Sequence, residues 1–482
     1  MKGIPMTTRD DMDIVRTRLE SWKAEARAGE APVLVQPPMS RLAGDLGIHE
    51  LMSSGGLTGE RLETFLETYL AASHRIPHPH GMGHQVACPH PSAILGGYVD
   101  VFTNNPMAIY EMGPAAATVE YAVINWMLEK VGWKPRPWPD RSSEGAEWES
   151  CGGGVLTHGG SLAQLTALAA ARAQADPEAW ENGVSPDLVV VSPPDAHYSV
   201  SRALGILGIG QAALVAAPCD EFGRILPHEL DHLLQELKGR KRRIMAVTAN
   251  AGCTAAGLYD DFHAVADVCE RHGVWLHVDG AHGASALLSP RLRSLLDGVE
   301  RVDSLIWDAH KMMRTPGLCA AVLFRDGRHL DGAFRQQASY LFHEKEQAGF
   351  DAIAHTVECT KAGLGVKFFF GLAAEGEEGL ARYVEGRYAL GAEVARLISG
   401  RPEYDLAVEP QANIVCFRLK GLDDAAHLEL RNRVLADGRY YITTTAFAGR
   451  RWLRLAIMNP ETELRHVEGL LNLLPELAKN DT

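Results

Sequence analysis

The chain has 482 residues, of which 46% are hydrophobic and 22% are charged, and this composition excludes intrinsic disorder and a collagen-like fibre. Its 47 basic and 61 acidic residues give a formal net charge of -14 without a basic cluster, which excludes nucleic acid and anionic membrane as main partners. The longest apolar runs, such as Gly317–Phe324, are far shorter than the ~18 residues of a membrane-spanning helix. We therefore expect a small molecule as the main partner and no membrane segment.

The N-terminal residues and the cysteines predict a cytoplasmic location. Residues 1–13 become acidic and polar at once, and they contain neither the apolar core nor the cleavage site of a signal peptide. The eight cysteines are scattered without a C-x-x-C pair, which is typical of reduced thiols in a large cytosolic chain.

The first part of the chain is predicted to be helical. Apolar residues recur at helical spacing from residue 8 to about 80, which indicates an N-terminal helical arm or layer assigned to residues 1–105. Prolines and glycines make 76–92 a loop, whereas 115–132 are expected to form one amphipathic helix that ends at Gly132.

From residue 152 to about 326, apolar β-rich runs alternate with helical stretches. The runs begin near residues 188, 212, 244, 274, 304 and 319. This alternation predicts an α/β domain with a mostly parallel sheet covered by helices on both faces. We assign this large domain to 106–375 and a small α+β domain to 376–482, where a helix at 424–436 lies between strand-like runs.

Polar residues that follow the strands are the candidates for a site, because ligands of α/β sheets gather at the carboxyl ends of the strands. One run ends at Asp279 followed by small residues, and another leads to Lys311, a position where a desolvated lysine can form a Schiff base with an aldehyde. The turn 159–161 opens a helix whose free amides favour a phosphate, and His197 offers a flat ring for stacking. Pyridoxal phosphate needs these four features, and the chain has them in the order phosphate turn, stacking ring, carboxylate and lysine.

Eight segments together resemble the group II pyridoxal-phosphate amino-acid decarboxylases, the family of glutamate, cysteine sulfinate, diaminobutyrate and aromatic amino-acid decarboxylases. The segments are 78–85, 109–120, 152–161, 197–203, 277–283, 307–313, 338–343 and 453–460. They extend over most of the chain from about residue 75 onward. The resemblance implies the fold type I architecture of pyridoxal-phosphate-dependent transferases, with a sheet of the seven-stranded type, and a homodimer whose subunits share the active site.

The resemblance also implies roles for single residues. Lys311 would bind the aldehyde of pyridoxal phosphate, Asp279 would pair with its ring nitrogen, and His197 would stack on the ring and be catalytic with them. Tyr340 matches the loop tyrosine that protonates the substrate carbon after CO2 has left. The other residues expected to contact the cofactor are Gly159, Gly160, Ser161, Thr254, Ala281 and His310.

Three further residues are expected near the substrate. Arg454 matches an arginine that faces the substrate carboxylate in glutamate decarboxylases, although a related arginine occurs with other substrates. His84 and Gln85 lie in a segment that corresponds to the rim of the active site. We expect no metal site, because prolines disperse the histidines between 74 and 90 and no cysteine lies at ligand spacing.

The resemblance implies α-decarboxylation of an L-amino acid to an amine and CO2. The segments around Lys311 and at 338–343 favour an acidic substrate (glutamate, aspartate or cysteine sulfinate), with aromatic amino acids and L-2,4-diaminobutyrate as alternatives. An oxidative aldehyde synthase of the same family is less favoured, because Tyr340 and His197 are both present. A non-catalytic scaffold is disfavoured because Lys311, Asp279 and Tyr340 are intact.

The chain departs from the usual family pattern at three positions. His282 stands where an aromatic residue usually follows the Asp-x-Ala triplet, and His158 and Gln164 stand where Ser and Asn are commoner. Backbone amides do most of the phosphate binding, so we expect these changes to affect substrate choice more than cofactor binding.

Overall fold

A computed structural model of the chain describes residues 9–139, 151–334 and 349–479. The helices are α1 (Arg9–Ala28), α2 (Met39–Asp45), α3 (Ile48–Ser54), α4 (Gly59–Ala71), α5 (Pro91–Thr103), α6 (Pro114–Val131), α7 (Gly160–Ala175), α8 (Ala179–Asn182), α9 (Ser199–Ile206), α10 (Pro227–Gly239), α11 (Phe262–His272), α12 (Arg328–Ala333), α13 (Leu364–Ser399), α14 (Asp424–Asp437) and α15 (Leu464–Lys479). The strands are β1 (Gly153–Thr157), β2 (Leu188–Ser192), β3 (Leu214–Ala216), β4 (Arg243–Asn250), β5 (Trp275–Asp279), β6 (Ser304–Asp308), β7 (Ala320–Phe324), β8 (Tyr404–Leu406), β9 (Ile414–Leu419), β10 (Thr443–Phe447) and β11 (Arg450–Ala456).

The first seven strands form one sheet in the order β1-β7-β6-β5-β4-β2-β3. The pairs from β6 through β5, β4 and β2 to β3 are parallel, whereas β7 runs antiparallel to both β1 and β6. Strand β1 therefore points the same way as β6, and the carboxyl ends of the parallel strands meet at one edge together with the start of β7. The predicted mostly parallel α/β sheet is confirmed.

The sheet is buried on both faces because alternate residues of each strand enter different cores. Val189 and Val191 of β2 pack into the core beneath α6, α10 and α11, whereas Leu188 and Val190 pack into the core beneath α7 and α9. Continuous apolar runs are what a sheet covered on both faces requires. Helices on both faces were predicted, and they are present.

The C-terminal strands form a second, antiparallel sheet in the order β10-β11-β9-β8. The predicted helix at 424–436 is α14, which begins where the Asp423 side chain accepts a hydrogen bond from the Ala426 amide (2.8 Å). Helix α13 breaks at Gly376, where φ is 66°, and the predicted boundary at 375/376 falls at this break. The three domain ranges themselves remain a prediction.

Several elements differ from the sequence-based expectation. The N-terminal helical stretch is divided among α1 to α4, and α5 was not predicted, because its two internal glycines obscure the helical period. The expected helix at 115–132 is α6, which ends at Gly132 in the left-handed conformation (φ 94°). Within the three described ranges, no helix combines the length and the apolarity needed to cross a membrane.

Candidate functional site

A cavity of about 270 Å³ lies at the carboxyl edge of the large sheet. All nine predicted cofactor residues line it, namely Gly159, Gly160, Ser161, His197, Thr254, Asp279, Ala281, His310 and Lys311. They come from the ends of β1, β2, β4, β5 and β6, which the topology places side by side. The structure therefore brings together every predicted cofactor residue, as expected for an α/β sheet.

Lys311 lies three residues beyond the end of β6 and is mostly buried. Its Nζ is 3.4 Å from Oδ2 of Asp308, the last residue of the strand. Asp308 is buried, and its Oδ1 has no hydrogen-bond partner among the described residues. The carboxylate anchors the lysine at the cavity wall and leaves one buried acceptor available.

Asp279 ends β5 and points a carboxylate into the cavity. Its Oδ1 accepts a hydrogen bond from the backbone amide of Ala281 (3.1 Å), which holds the side chain in place. The next residue, Gly280, allows close packing, because a Cβ there would lie 2.7 Å from Leu305 Cδ1. Ala281 is buried and presents only a methyl group to the cavity, so a flat ligand can approach it.

His197 follows β2 and contributes a neutral ring. Burial lowers the pKa of His197, against the opposing effect of the Asp279 carboxylate. The Ser199 amide donates to His197 Nδ1 (3.3 Å), and the Ser199 hydroxyl lies 2.8 Å from the same nitrogen. Since an amide only donates, Nδ1 is the acceptor, and the proton of the neutral ring lies on Nε2.

The turn before α7 forms an anion cradle. Gly159 precedes the helix with φ 106°, a conformation that favours glycine, and its carbonyl accepts a hydrogen bond from Thr157 Oγ1 (3.1 Å). Gly160 and Ser161 lie in the first turn, where helix amides have no intrahelical acceptor. A Cβ at Gly160 would lie 2.8 Å from Asp308 Oδ2, so only glycine fits between the cradle and the lysine anchor.

The predicted substrate residues lie apart from the cavity wall. Arg454 is buried behind Thr254, with Nε donating to the Thr254 carbonyl (3.0 Å) and Nη1 donating to the Gly83 carbonyl (3.2 Å). His84 is exposed and its ring contacts Tyr441, and Gln85 has a buried Nε2 without a partner among the described residues. Only Arg454 is connected to the cavity, through the Thr254 carbonyl.

Burial lowers the pKa of Arg454, yet no described carboxylate lies within ion-pair distance of its guanidinium. Its Nη2 is also buried without a hydrogen-bond partner in the described part of the chain. A buried cation of this kind is stabilised by an anion. The described residues provide none within ion-pair distance, so a ligand can supply it.

Three of the cavity residues without a role assigned from the sequence carry a polar atom left unsatisfied by the described residues. Asp308, Asn250 and His282 each have a buried polar atom with no hydrogen-bond partner among the described residues. Asn250 and Asp308 are the last residues of β4 and β6, so the rule about strand ends applies to them too. His282 was noted only as a departure from the family pattern.

Tyr340 lies outside the described residues. The histidines between 74 and 90 contact rings and backbone, as in the stacking of His80 on Tyr440 (ring centroids 4.2 Å) and the contact between the His78 and His80 rings (4.9 Å). His90 caps α5 and pairs with Glu375 (2.9 Å). Within the described ranges, no group of three His, Cys, Asp or Glu side chains is placed to hold a metal ion.

The cavity fits pyridoxal phosphate by the chemistry of its walls. An amine, a carboxylate, a neutral ring and a helix N-terminus face one space, and the glycines of the cradle leave the room that a Cβ would fill. The buried polar atoms without partners in the described chain indicate a polar ligand, because an unsatisfied buried donor or acceptor is costly.

Comparison with known proteins agrees with this chemistry. The family described as "Pyridoxal-dependent decarboxylase conserved domain" matches residues 74–420. The cysteine sulfinic acid decarboxylase of Rattus norvegicus is 28% identical over 445 residues, which cover 88% of this chain and 87% of the rat protein. The acidic amino acid decarboxylase GADL1 of Bos taurus is 28% identical over 408 residues, covering 80% and 75%.

A solved structure is similar over the whole chain. The crystal structure of mouse CSAD superposes with a TM-score of 0.87 at 26% identity, covering 98% of this chain and 99% of the mouse chain.

Proposed function

Because the chain belongs to the pyridoxal-dependent decarboxylases, we propose that it removes the α-carboxyl group of an acidic L-amino acid, releasing CO2 and an amine. The family makes it an enzyme with pyridoxal phosphate as cofactor. The substrate is proposed to be glutamate, aspartate or cysteine sulfinate. Relatives named cysteine sulfinic acid decarboxylase and acidic amino acid decarboxylase support this class.

The structural observation that carries the proposed decarboxylation is the guanidinium of Arg454, which suits a substrate carboxylate. The acidic class of the substrate is supported by the named relatives. Arg454 is only 4% exposed, it lies directly behind the cavity, and its hydrogen bonds go to neutral carbonyls. A carboxylate of the substrate would supply the missing anion and a partner for Nη2. Charge-assisted hydrogen bonds to arginine are among the strong ones in proteins.

Each cavity residue has a task that follows from its position. When bound, pyridoxal phosphate supplies an electron sink for the pair left behind by departing CO2. The Asp279 carboxylate keeps a proton on the ring nitrogen, since a nearby negative charge favours the protonated form. Lys311 would hold the aldehyde carbon, and the amides of Gly160 and Ser161 would hold the phosphate.

The remaining residues shield the reaction and move a proton. The neutral ring of His197 would cover one face of the bound cofactor and exclude water, and Ala281 would pack against the other. We assign to the Tyr340 hydroxyl the proton that the substrate carbon takes up after CO2 has left. The sequence motif at 338–343 supports this assignment.

We further propose a homodimer with a shared active site. Small residues of α5 pack against α13, where a Cβ at Gly96 would lie 2.8 Å from Lys367 Cα, so the large apolar residues of α5 point outward. Exposed apolar residues of this helix are Ile94, Leu95, Tyr98, Val101 and Phe102. Contiguous patches of this kind mark protein interfaces. A second copy of the chain is the proposed occupant.

A cytoplasmic location also remains a proposal. The eight cysteines all lie in the described residues and form no disulfide there, and most are buried, which supports a reducing compartment.

The proposed function is tested by CO2 release from the cofactor-loaded protein. The panel contains the common L-amino acids, cysteine sulfinate and 2,4-diaminobutyrate, with Lys311→Ala as the blank. We expect release confined to glutamate, aspartate or cysteine sulfinate. Release from aromatic or basic amino acids alone would contradict the substrate class.

A further inference from the structure

Asn250 occupies a position in the cavity for which the sequence assigned no role. It is the last residue of β4, and in the parallel register it lies opposite Asp279, the last residue of β5. Both residues line the cavity. An amide side chain is therefore placed beside the carboxylate that faces the ring nitrogen of the cofactor.

The backbone of Asn250 is held on both sides by Asp260. The Asn250 amide donates to Asp260 Oδ2 (2.7 Å), and the Asn250 carbonyl accepts a hydrogen bond from the Asp260 amide (3.0 Å). The other oxygen of Asp260 accepts from the Ile225 amide (2.7 Å). This arrangement leaves the side chain as the part of Asn250 that can serve a ligand.

The side-chain nitrogen of Asn250 is a donor without a partner. The residue is 6% exposed, and Nδ2 has no hydrogen-bond acceptor among the described residues. A buried N–H group in this state is costly unless a ligand supplies an acceptor. Asn250 lines the cavity, so a ligand bound there can supply the acceptor.

The order of the strands shows which side of the cofactor Asn250 faces. The phosphate cradle follows β1, Lys311 follows β6, Asp279 ends β5 and Asn250 ends β4, and the sheet order is β1-β7-β6-β5-β4. Neighbouring strands are ~4.8 Å apart, so the cradle and Asn250 lie at opposite ends of the cavity. In pyridoxal phosphate, the phosphate arm and the phenolic oxygen lie on opposite sides of the line that joins the ring nitrogen to the aldehyde. With the phosphate in the cradle after β1, the phenolic oxygen would be on the other side of the ring. The oxygen edge therefore faces β4.

We propose that Asn250 Nδ2 donates a hydrogen bond to the phenolic oxygen of pyridoxal phosphate, making Asn250 a cofactor-binding residue of this chain. The inference rests on the cofactor of the proposed function but not on the identity of the substrate.

The donor has a measurable consequence for the bound cofactor. The phenolic oxygen, as an anion, also accepts a hydrogen bond from the protonated nitrogen that links Lys311 to the cofactor. A second donor weakens this hydrogen bond, so the nitrogen loses its proton at lower pH. Removing the Asn250 donor then raises the pH at which the visible absorption band of the bound cofactor titrates.

The first test compares two isosteric variants of β4 without substrate. Asn250→Leu removes the donor, and Thr248→Val removes a buried hydroxyl two residues earlier whose partner is Ser192 Oγ (2.6 Å), outside the cavity wall. We expect the midpoint of the absorption titration to rise by about one pH unit or more in Asn250→Leu, as for the loss of a hydrogen bond to a charged group. Thr248→Val should titrate like the wild type.

The second test measures the coupling between Asn250 and the oxygen itself. Apoprotein affinities for pyridoxal phosphate and for its 3-deoxy analogue are determined for wild type and Asn250→Leu, with Asn250→Asp as a second isostere. We expect Asn250→Leu to weaken binding of pyridoxal phosphate about tenfold and binding of the analogue hardly at all. Equal losses for both ligands, or an unchanged titration midpoint in folded Asn250→Leu or Asn250→Asp, would overturn the proposal. Because neither test contains substrate, its failure is distinguishable from failure of the decarboxylase assignment.

Discussion

At the scale of single residues, the site is built from polar atoms that the protein leaves available for ligands. Arg454 Nη2, Asn250 Nδ2 and Asp308 Oδ1 are buried, and none has a hydrogen-bond partner in the described part of the chain. In folded proteins most buried polar groups are paired. Asn250 and Asp308 line one cavity, and Arg454 contacts the carbonyl of its wall residue Thr254, which is consistent with the proposed binding of cofactor and substrate there.

Arg454 is expected to bind the substrate through its charge. We predict that Arg454→Met, which keeps much of the side-chain volume, raises KM for the acidic substrate about 10- to 100-fold, in line with loss of a charge-assisted hydrogen bond. Steady-state kinetics measures this effect, and the absorption of the bound cofactor serves as a control that should stay unchanged. An unchanged KM would contradict the assigned role.

His282 links the site to the pH dependence of stability. Burial lowers the pKa of His282 to about 3, and its Nε2 donates to Asn413 Oδ1 (2.7 Å). In the unfolded chain a histidine has a pKa near 6.5, so between pH 6.5 and 3 the unfolded state binds a proton that folded His282 does not. The contribution of His282 to stability is therefore fully present above pH 6.5 and is lost as pH falls toward 3.

We therefore predict that His282→Phe reduces the slope of the free energy of unfolding against pH, below pH 6.5, by up to about 1.4 kcal/mol per pH unit. Urea unfolding between pH 4 and 7 measures the slopes of both proteins. Parallel curves for wild type and variant would show that His282 does not titrate in this way.

At the scale of elements, the turn into α7 decides how closely the phosphate can approach. The turn packs against Asp308, the residue that anchors Lys311, and leaves no space for a side chain at Gly160. Cofactor affinity should therefore depend on this glycine more than on glycines in open helical positions.

We predict that Gly160→Ala weakens pyridoxal phosphate binding at least about tenfold, because the new Cβ would lie 2.8 Å from Asp308 Oδ2. The matched control is Gly386→Ala in α13, where a Cβ would meet nothing within 4 Å. Fluorescence or absorption titration of the apoprotein measures both affinities. Equal affinities for the two variants would contradict the proposed cradle.

The sequence predicted the elements whose signal is local. The apolar runs at β2, β4, β5 and β6 indicate buried strands, and Gly132 marks the end of α6. The same runs placed Asp279 and Lys311 at strand ends, so the cofactor residues could be assigned before the fold was seen.

What the sequence could not predict depends on distant contacts. The role of Asp308 follows from its packing against Gly160, and the free donor of Asn250 follows from Asp260, ten residues later. The location of Arg454 behind Thr254 depends on how the C-terminal sheet packs against the large sheet. Spacing along the chain contains no information on such contacts. Strand β7 is antiparallel to both of its neighbours, β1 and β6, and the pattern of its apolar run does not indicate this either.

At the scale of the whole molecule, the exposed face of α5 supports assembly. Val101 and Phe102 are 77% and 76% exposed, although both are large and apolar. A wall residue of the cavity, Leu318, is also half exposed. A second copy that covers these surfaces would bury apolar area and complete the site at once.

We predict that Phe102→Asp yields a monomer with less than about a tenth of the wild-type activity, since a charge in a buried interface is strongly unfavourable. Leu428→Asp on α14, at an exposed apolar position outside α5, is the control that should remain dimeric and active. Analytical ultracentrifugation gives the oligomeric state. A fully active monomer would refute the shared active site.

The central claim is that this enzyme decarboxylates an acidic amino acid, and the most direct measurement compares acids with their neutral amides. The values of kcat/KM are determined for glutamate against glutamine and for aspartate against asparagine, with cysteine sulfinate alongside. We expect kcat/KM for each acid to exceed that for its amide at least about tenfold, because loss of an ionic hydrogen bond in a buried site costs that much or more. Equal values within each pair, or faster turnover of the amides, would contradict it.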